Sequence, residues 1–566
     1  MFKDFSHKLV FTFLLMFLLA PIFVSAATEG ERSIFFIDSS YDIEGREEIS
    51  ARLEKISLKA YFYLEEEWYE DLTDEEKESV SQKLEELSQE FDGVIYPQLT
   101  SVLGEEWSPG IDNDKRVTVL FHRMKSEAAG YFNDGDEFSR VQNEKSNERE
   151  MVYLNSDVLF SSLARSYLAH EFVHLITFNQ KNRLRGVTEE IWLNEARADY
   201  APTLLGYDEN YQGSNLQQRV RNFINSPSDS LTEWQNQKKD YGVVNLFTQY
   251  LVEIYGRDIL VDSLHSNKVG ISSLEYALKK AGIEKSFRQI FTDWTVAVFL
   301  NDCKVDESYC YKNSNLKNIK VNPSLIFLPS TQKTSVSLNY SIKQWSGNWY
   351  RIMGGEGELK LEFNGEDNLQ FSVPYVLCKD SIDCKVGFLE LDENQKASVY
   401  FEDFGKNYTS LTLIPSIQSK TSGFDGREPS YSFSLSSTIE ITTEQEKLIE
   451  ELKARIAELQ AQIAELQAKI AEILREKISC QIIDSNLYFG LRSPEVSCLQ
   501  EFLKAQGSEI YPEGLITGFF GPLTQAAVMR FQEKYAEDIL EPLGLKKGTG
   551  FVGASTRSKI NQILGK

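Results

Sequence analysis

The residues best suited to chemistry lie in one short run, Tyr167-Leu168-Ala169-His170-Glu171-Phe172-Val173-His174-Leu175-Ile176-Thr177-Phe178. The run has no glycine or proline, so a helix is expected. Histidines four positions apart then share one face, one turn from each other. Two imidazoles so placed can share a metal ion, and Glu171 beside them can reach a water on that ion. Only five histidines occur in the 566 residues. The alternative is a plain pair of core or surface histidines. A catalytic zinc site takes three protein ligands and keeps one position open. Glu195 can be the third, in the helix-compatible run Glu190-Ile191-Trp192-Leu193-Asn194-Glu195-Ala196-Arg197-Ala198-Asp199-Tyr200. Asp199, one turn on, is expected to hydrogen-bond the far nitrogen of a ligand histidine and so fix its tautomer.

These helices need a scaffold, and residues 27–302 predict an α+β domain that is mostly helical in its second half. Strands are expected at Ser33–Ile37, Val117–Phe121 and Met151–Leu154, and a charged amphipathic helix over 71–91. Between 303 and 442 short alternating runs separated by Gly, Asn and Asp predict an all-β sandwich. From 443 to 478 Ile449, Ile456, Ile463 and Ile470 recur every seven residues, with Leu452, Leu459, Leu466 and Ile473 interleaved. That pattern predicts a coiled-coil linker forming a parallel homodimer, or else a lone helical spacer. Residues 479–566 read as helix, glycine-rich turn and helix, a small all-α domain. The first 26 residues have a charged start, an apolar run and a small-residue end, as a secretory signal peptide does; a retained anchor is the alternative.

Six cysteines fall into local pairs, Cys303 with Cys310, Cys378 with Cys384 and Cys480 with Cys498. Three disulfides are expected in an oxidising compartment. A formal charge of −25 argues against a nucleic-acid partner, whose phosphates need a basic footprint.

Taken together, H-E-x-x-H followed by N-E-x-x-x-D resembles the gluzincin peptidases, the thermolysin-like group with two histidines and a glutamate on zinc. The flanking runs Ala129-Gly130-Tyr131-Phe132 and Asp240-Tyr241-Gly242-Val243-Val244-Asn245-Leu246-Phe247 are similar to hyicolysin-type neutral metallopeptidases. The likeness spans roughly residues 30 to 302, and the third histidine of metzincins is missing. It implies a zincin-like fold, one catalytic Zn2+ on His170, His174 and Glu195, and endopeptidase action on a protein or peptide substrate. Glu171 would take the proton of water and return it to the leaving amine. Tyr241 or His265 would donate to the oxyanion, although each also reads as an ordinary packed or surface residue. Gly130-Tyr131-Phe132 reads either as the edge strand that pairs with substrate or as a core strand. Calcium is a second candidate ion on the turn Asn133-Asp134-Gly135-Asp136, which lacks the closing glutamate of an EF-hand and reads better as a plain turn.

The last segment resembles the helical peptidoglycan-binding domain of wall-associated hydrolases through Leu499-Gln500, Phe520-Gly521, Ala527-Val528, Phe531-Gln532 and Thr556-Arg557. Ala536 to Gly550 looks like an insertion in it. The expectation is a secreted, wall-associated zinc metalloendopeptidase with peptidoglycan as a partner. The alternatives are a peptidoglycan cross-link peptidase and an inactive wall-anchored binding or scaffold protein.

Overall fold

The computed structural model describes residues 27–329, 333–380, 383–440, 443–475 and 482–565. The expected signal peptide, the end of the spacer and Cys480 lie outside them. The chain divides into two units, Met1–Thr442 and Thr443–Lys566.

In the first unit a six-stranded sheet has the order β1 (Arg32–Phe36), β2 (Glu48–Ile56), β3 (Ala60–Glu65), β4 (Val117–His122), β6 (Met151–Asn155), β5 (Gly130–Tyr131). β3, β4 and β6 are buried along their whole length because both faces are covered, and β3–β4 and β4–β6 run parallel. Alternate residues of β3 divide between two cores. Phe62 and Leu64 pack under α1 (Asp74–Glu90) and α2 (Ala164–Thr177), while Tyr61 and Tyr63 face β1 and β2. Beyond the sheet come α3 (Ile191–Leu204), α4 (Asn215–Asn225), α5 (Lys238–Tyr255) and α6 (Phe287–Leu300).

Residues after 303 form two further sheets, one of four strands in the order Lys396–Phe404, Gly357–Gly365, Ser430–Glu440, Thr334–Lys343 and one of five in the order Cys384–Phe388, Pro374–Cys378, Ser410–Leu413, Tyr350–Gly354, Ser324–Leu328, whose inner faces share one core. This is a sandwich, antiparallel except where Ser324–Leu328 runs parallel to Tyr350–Gly354. The change of texture near residue 303 is not a break in packing, because Trp345, Trp349 and Ile414 join Trp294 of α6 in one buried cluster. Cys303–Cys310 and Cys378–Cys384 are bonded, and Cys498 is also in a disulfide.

The second unit holds the helix α7 (Thr443–Arg475) and a small core built by α8 (Pro494–Ala505), α9 (Pro522–Lys534) and α10 (Ala554–Ile563). Along α7 the heptad residues Leu452, Ile456, Leu459, Ile463 and Leu466 are all exposed. The insertion-like stretch is part of the small core, since Ile539 and Leu540 are buried in it. Among the described residues no helix is long and apolar enough to cross a membrane.

One feature of the first unit works against its stability. Glu137 and Glu150 are both buried, and neither oxygen of Glu137 has a hydrogen-bond partner. Burial, and for Glu137 also the charge of Glu150, pushes both carboxyls above the usual range. The folded state therefore binds these protons more tightly than the unfolded chain. Their penalty is absent at low pH and grows as pH rises from the unfolded carboxylate range through the raised values. Glu150→Gln keeps an acceptor for the Ile111 N–H, 2.8 Å from Glu150 Oε1, and removes one charge. The variant is expected to be more stable than the parent at pH 8, by on the order of 1–2 kcal/mol, with the gain vanishing by pH 4. Parallel stability curves in pH-dependent melting would count against this account.

Candidate metal centre

The buried helix α2 carries His170, Glu171 and His174, and α3 packs against it with Glu195. The Nε2 atoms of His170 and His174 are 3.3 Å apart. Glu195 Oε2 is 3.2 Å from His170 Nε2, and Glu195 Oε1 is 3.7 Å from His174 Nε2. Among the described residues this is the one group of three such side chains able to hold a metal, with its ligand atoms within 4.8 Å of one another.

The donor set fits a zinc ion. Two ring N–H groups cannot both point into the same 3.3 Å gap, and Glu195 Oε2 is buried without a hydrogen-bond partner. Two imidazole nitrogens and a carboxylate are also the N and O ligands zinc takes in catalytic sites. Burial alone would raise Glu195, but His174 and His170 outweigh it and hold the carboxyl below its usual range.

Asp199 lies on the expected side of His170, with Oδ1 3.7 Å from Nδ1, a charge contact longer than a hydrogen bond. Its oxygens are occupied instead by Arg219 of α4, whose Nε donates to both at 2.9 Å, and by Asn245 of α5, whose Nδ2 donates at 2.8 Å. Asp199 thus ties three helices together behind the histidine. Asn194 is the polar side chain acting on His174, although His174 Nδ1 and Asn194 Oδ1 stop short of a full hydrogen bond.

Glu171 is buried next to this cluster. Burial pushes its carboxyl up to about 8, Glu195 adds to the rise, and His170 opposes it. A positive charge where the three ligand atoms converge would pull it down again. β5 passes close over it, for a Cβ on Gly130 would lie 2.6 Å from the Tyr153 carbonyl oxygen and 2.9 Å from Glu171 Oε1. Glycine is what allows this approach. β5 is the edge of the sheet, which settles the edge-or-core question, and the Phe132 ring beyond it lies nearly parallel to His174 at 6.3 Å.

Tyr241 sits at the first turn of α5, its ring 6.2 Å from that of His170 and 4.5 Å below the Arg219 guanidinium. Its hydroxyl donates to Asn236 Oδ1 at 3.0 Å. Burial, reinforced by Glu195, holds the phenol well above its ordinary range, so it stays a donor. The second candidate donor, His265, is used elsewhere: its Nε2 is 2.8 Å from the Leu103 carbonyl oxygen. In the acidic turn, Asp136 accepts from Tyr153 OH at 2.6 Å and the Asn147 N–H at 2.7 Å, and Asn133 Oδ1 accepts from Gly135 N–H at 3.1 Å. Fold contacts therefore account for that turn.

Sequence reading missed Tyr41. Its hydroxyl accepts from Asn236 Nδ2 at 3.3 Å, and burial followed by the charges of Glu171 and Glu195 raises its phenol. Its ring stacks on Tyr131 at 4.6 Å, which stacks on Tyr153 at 4.3 Å, so β5 is clasped between β6 and the N-terminal segment. No periodicity or motif marks Tyr41, Arg219 or Asn236, which meet the site only in three dimensions.

Residues 492–560 match the sequence profile described as "Putative peptidoglycan binding domain". That match marks residues 492–560 as a peptidoglycan-binding domain and supports an association with the cell wall. No curated protein sequence matches the chain. Similar solved structures include the mitogen derived from Yersinia pseudotuberculosis, 11% identical over 20% of this chain and 90% of that one, with a TM-score of 0.15. The pre-peptidase C-terminal domain of a Bacillus anthracis collagenase is 10% identical over 20% and 96%, with a TM-score of 0.15. PliG of Aeromonas hydrophila, a periplasmic inhibitor of g-type lysozyme, is 12% identical over 21% and 100%, with a TM-score of 0.15. Likenesses this slight say nothing about the site.

Proposed function

We propose that the protein is a secreted, wall-associated, zinc-dependent endopeptidase of the gluzincin type. The observation that carries this reading is the convergence of His170 Nε2, His174 Nε2 and Glu195 around one point, with Glu171 buried beside it. A zinc ion held by those three residues would supply Lewis acidity toward a carbonyl and toward a water. Glu171 accepts the proton of the attacking water and returns it to the leaving amine. The edge strand β5 pairs with an extended peptide and lays its backbone across the cluster. Tyr241 donates to the developing oxyanion by turning its O–H away from Asn236 Oδ1, with Tyr41 facing the same region and accepting from Asn236 Nδ2. Asp199, fixed by Arg219 and Asn245, sets a negative charge behind His170 rather than a hydrogen bond to it. The exposed apolar stripe of α7 supports a parallel homodimer.

A cross-link peptidase is the second reading, favoured by the wall-binding domain, which would bring the head to that substrate. A binding or scaffold protein is the third, and the complete set His170, Glu171, His174 and Glu195 counts against it. Metal analysis and digestion separate the three. The expected result is about one zinc per chain, with casein cleaved, activity lost to a chelator and restored by zinc. Release of peptides from purified wall but not from casein would move the substrate to cross-links. No bound metal and no cleavage of either would leave the scaffold reading.

A further inference from the structure

Two buried glutamines of the second unit make the same set of hydrogen bonds. Gln500 on α8 donates through Nε2 to the Phe519 carbonyl oxygen at 2.9 Å and to Thr524 Oγ1 at 2.8 Å. Its Oε1 accepts from the N–H groups of Thr517 at 2.7 Å and Gly518 at 2.9 Å. Gln532 on α9 donates to the Phe551 carbonyl oxygen at 2.8 Å and to Thr556 Oγ1 at 2.9 Å, and accepts from Thr549 at 2.8 Å and Gly550 at 3.0 Å. Each glutamine pins a Thr-Gly-Phe turn whose glycine is left-handed, φ +68° at Gly518 and +70° at Gly550. The unit is therefore an internal duplication that presents Phe519 and Phe551 at equivalent positions.

One segment joins the two turns. Leu487 exchanges backbone hydrogen bonds with Val552 at 3.2 and 2.8 Å, and at the other end Phe520 N–H donates to Leu491 and Ser493 N–H to Gly518. Along this segment Tyr488, 50% exposed, lies nearly parallel to Phe551, 43% exposed, at 6.4 Å. Arg492 holds its guanidinium over Phe519 at 5.1 Å. Together with Phe489, 53% exposed, these residues of the segment and the two turns form an aromatic strip that also carries Arg492.

We propose that this strip is where the C-terminal domain takes the glycan strand of peptidoglycan. Sugar rings would lie on Tyr488, Phe489 and Phe551, with Arg492 donating to hydroxyl and acetamido oxygens. The proposal rests on the wall-binding reading of this domain and adds to it the polymer component and the contacting residues. Pyranose rings offer C–H faces that pack on aromatic rings, and Tyr supplies an apolar body with a polar tip. Backbones pinned by the two glutamines lose little freedom on binding. Two equivalent turns suit a polymer that repeats.

The test is cosedimentation of the full chain with insoluble peptidoglycan. The wild type is expected to pellet, and a Tyr488→Ala, Phe551→Ala double variant to bind on the order of tenfold more weakly, about 1.4 kcal/mol. Tyr488→Phe, which keeps the ring, should bind like the wild type, and glycan strands freed of peptide should compete. Circular dichroism checks that the variants fold, and Phe489→Ala serves as a second variant if the double one does not. A wild type that fails to pellet overturns the wall-binding reading itself. A wild type that pellets while ring-deleted variants pellet equally, or peptide-free glycan that fails to compete, overturns only the strip.

Discussion

Glu171→Gln is expected to lower peptide-bond cleavage by on the order of 10³-fold, about 4 kcal/mol of transition-state stabilisation, while leaving the bound zinc unchanged. The amide has the size of the carboxyl and cannot take a proton from water. None of the three converging ligand atoms belongs to Glu171, so the metal should remain. The loss should fall on kcat more than on KM, because in the proposed mechanism Glu171 acts on the water and not on the peptide backbone. Metal analysis and steady-state kinetics on one peptide give both numbers. A variant with zinc bound and full activity would remove Glu171 from its role. One that lost zinc as well would show that Glu171 holds the ion.

The second large effect belongs to Glu195→Gln. Removing the charge from the only carboxylate among the three proposed ligands leaves two imidazoles, so zinc should be lost on dialysis and activity with it. Zinc present at about a thousand times its dissociation constant should stabilise the wild type by about 4 kcal/mol and the variant hardly at all. Melting with and without zinc measures this. An equal zinc-dependent shift in both proteins would place the third ligand elsewhere.

How much of this could be read from the chain differs from residue to residue. His170 and His174 could be placed together from the sequence because a helix converts fixed spacing into a shared face, whereas Glu195 stands on a second helix and meets them only through the packing of the two. Strands β4 and β6 were legible as unbroken apolar runs, since strands covered on both faces need no polar alternation, whereas β3 at Ala60–Glu65 was not read from the sequence. The run from Asp240 to Phe247 was recognisable only as a likeness. The structure shows why its members matter. Asp240 accepts the Gln235 and Gln237 N–H groups before α5, Gly242 leaves no room for a Cβ against the Phe223 backbone, and Asn245 holds Asp199. Tyr41 was not legible, because it reaches the site through tertiary packing from far away in sequence. His265 was misplaced for the converse reason, as nothing local tells a free histidine from one bonded to a distant carbonyl. The duplication of the second unit stood in the sequence as Thr517-Gly518-Phe519 and Thr549-Gly550-Phe551, yet only the matched glutamine contacts give it meaning.

The edge strand beside Glu171 is two residues long. An open sheet edge invites copies of a protein to join one another into fibrils, and long flat edges are the hazardous ones. So brief an edge can greet a single guest backbone, yet it offers too little purchase for self-association. Lengthening it by design would trade solubility for grip.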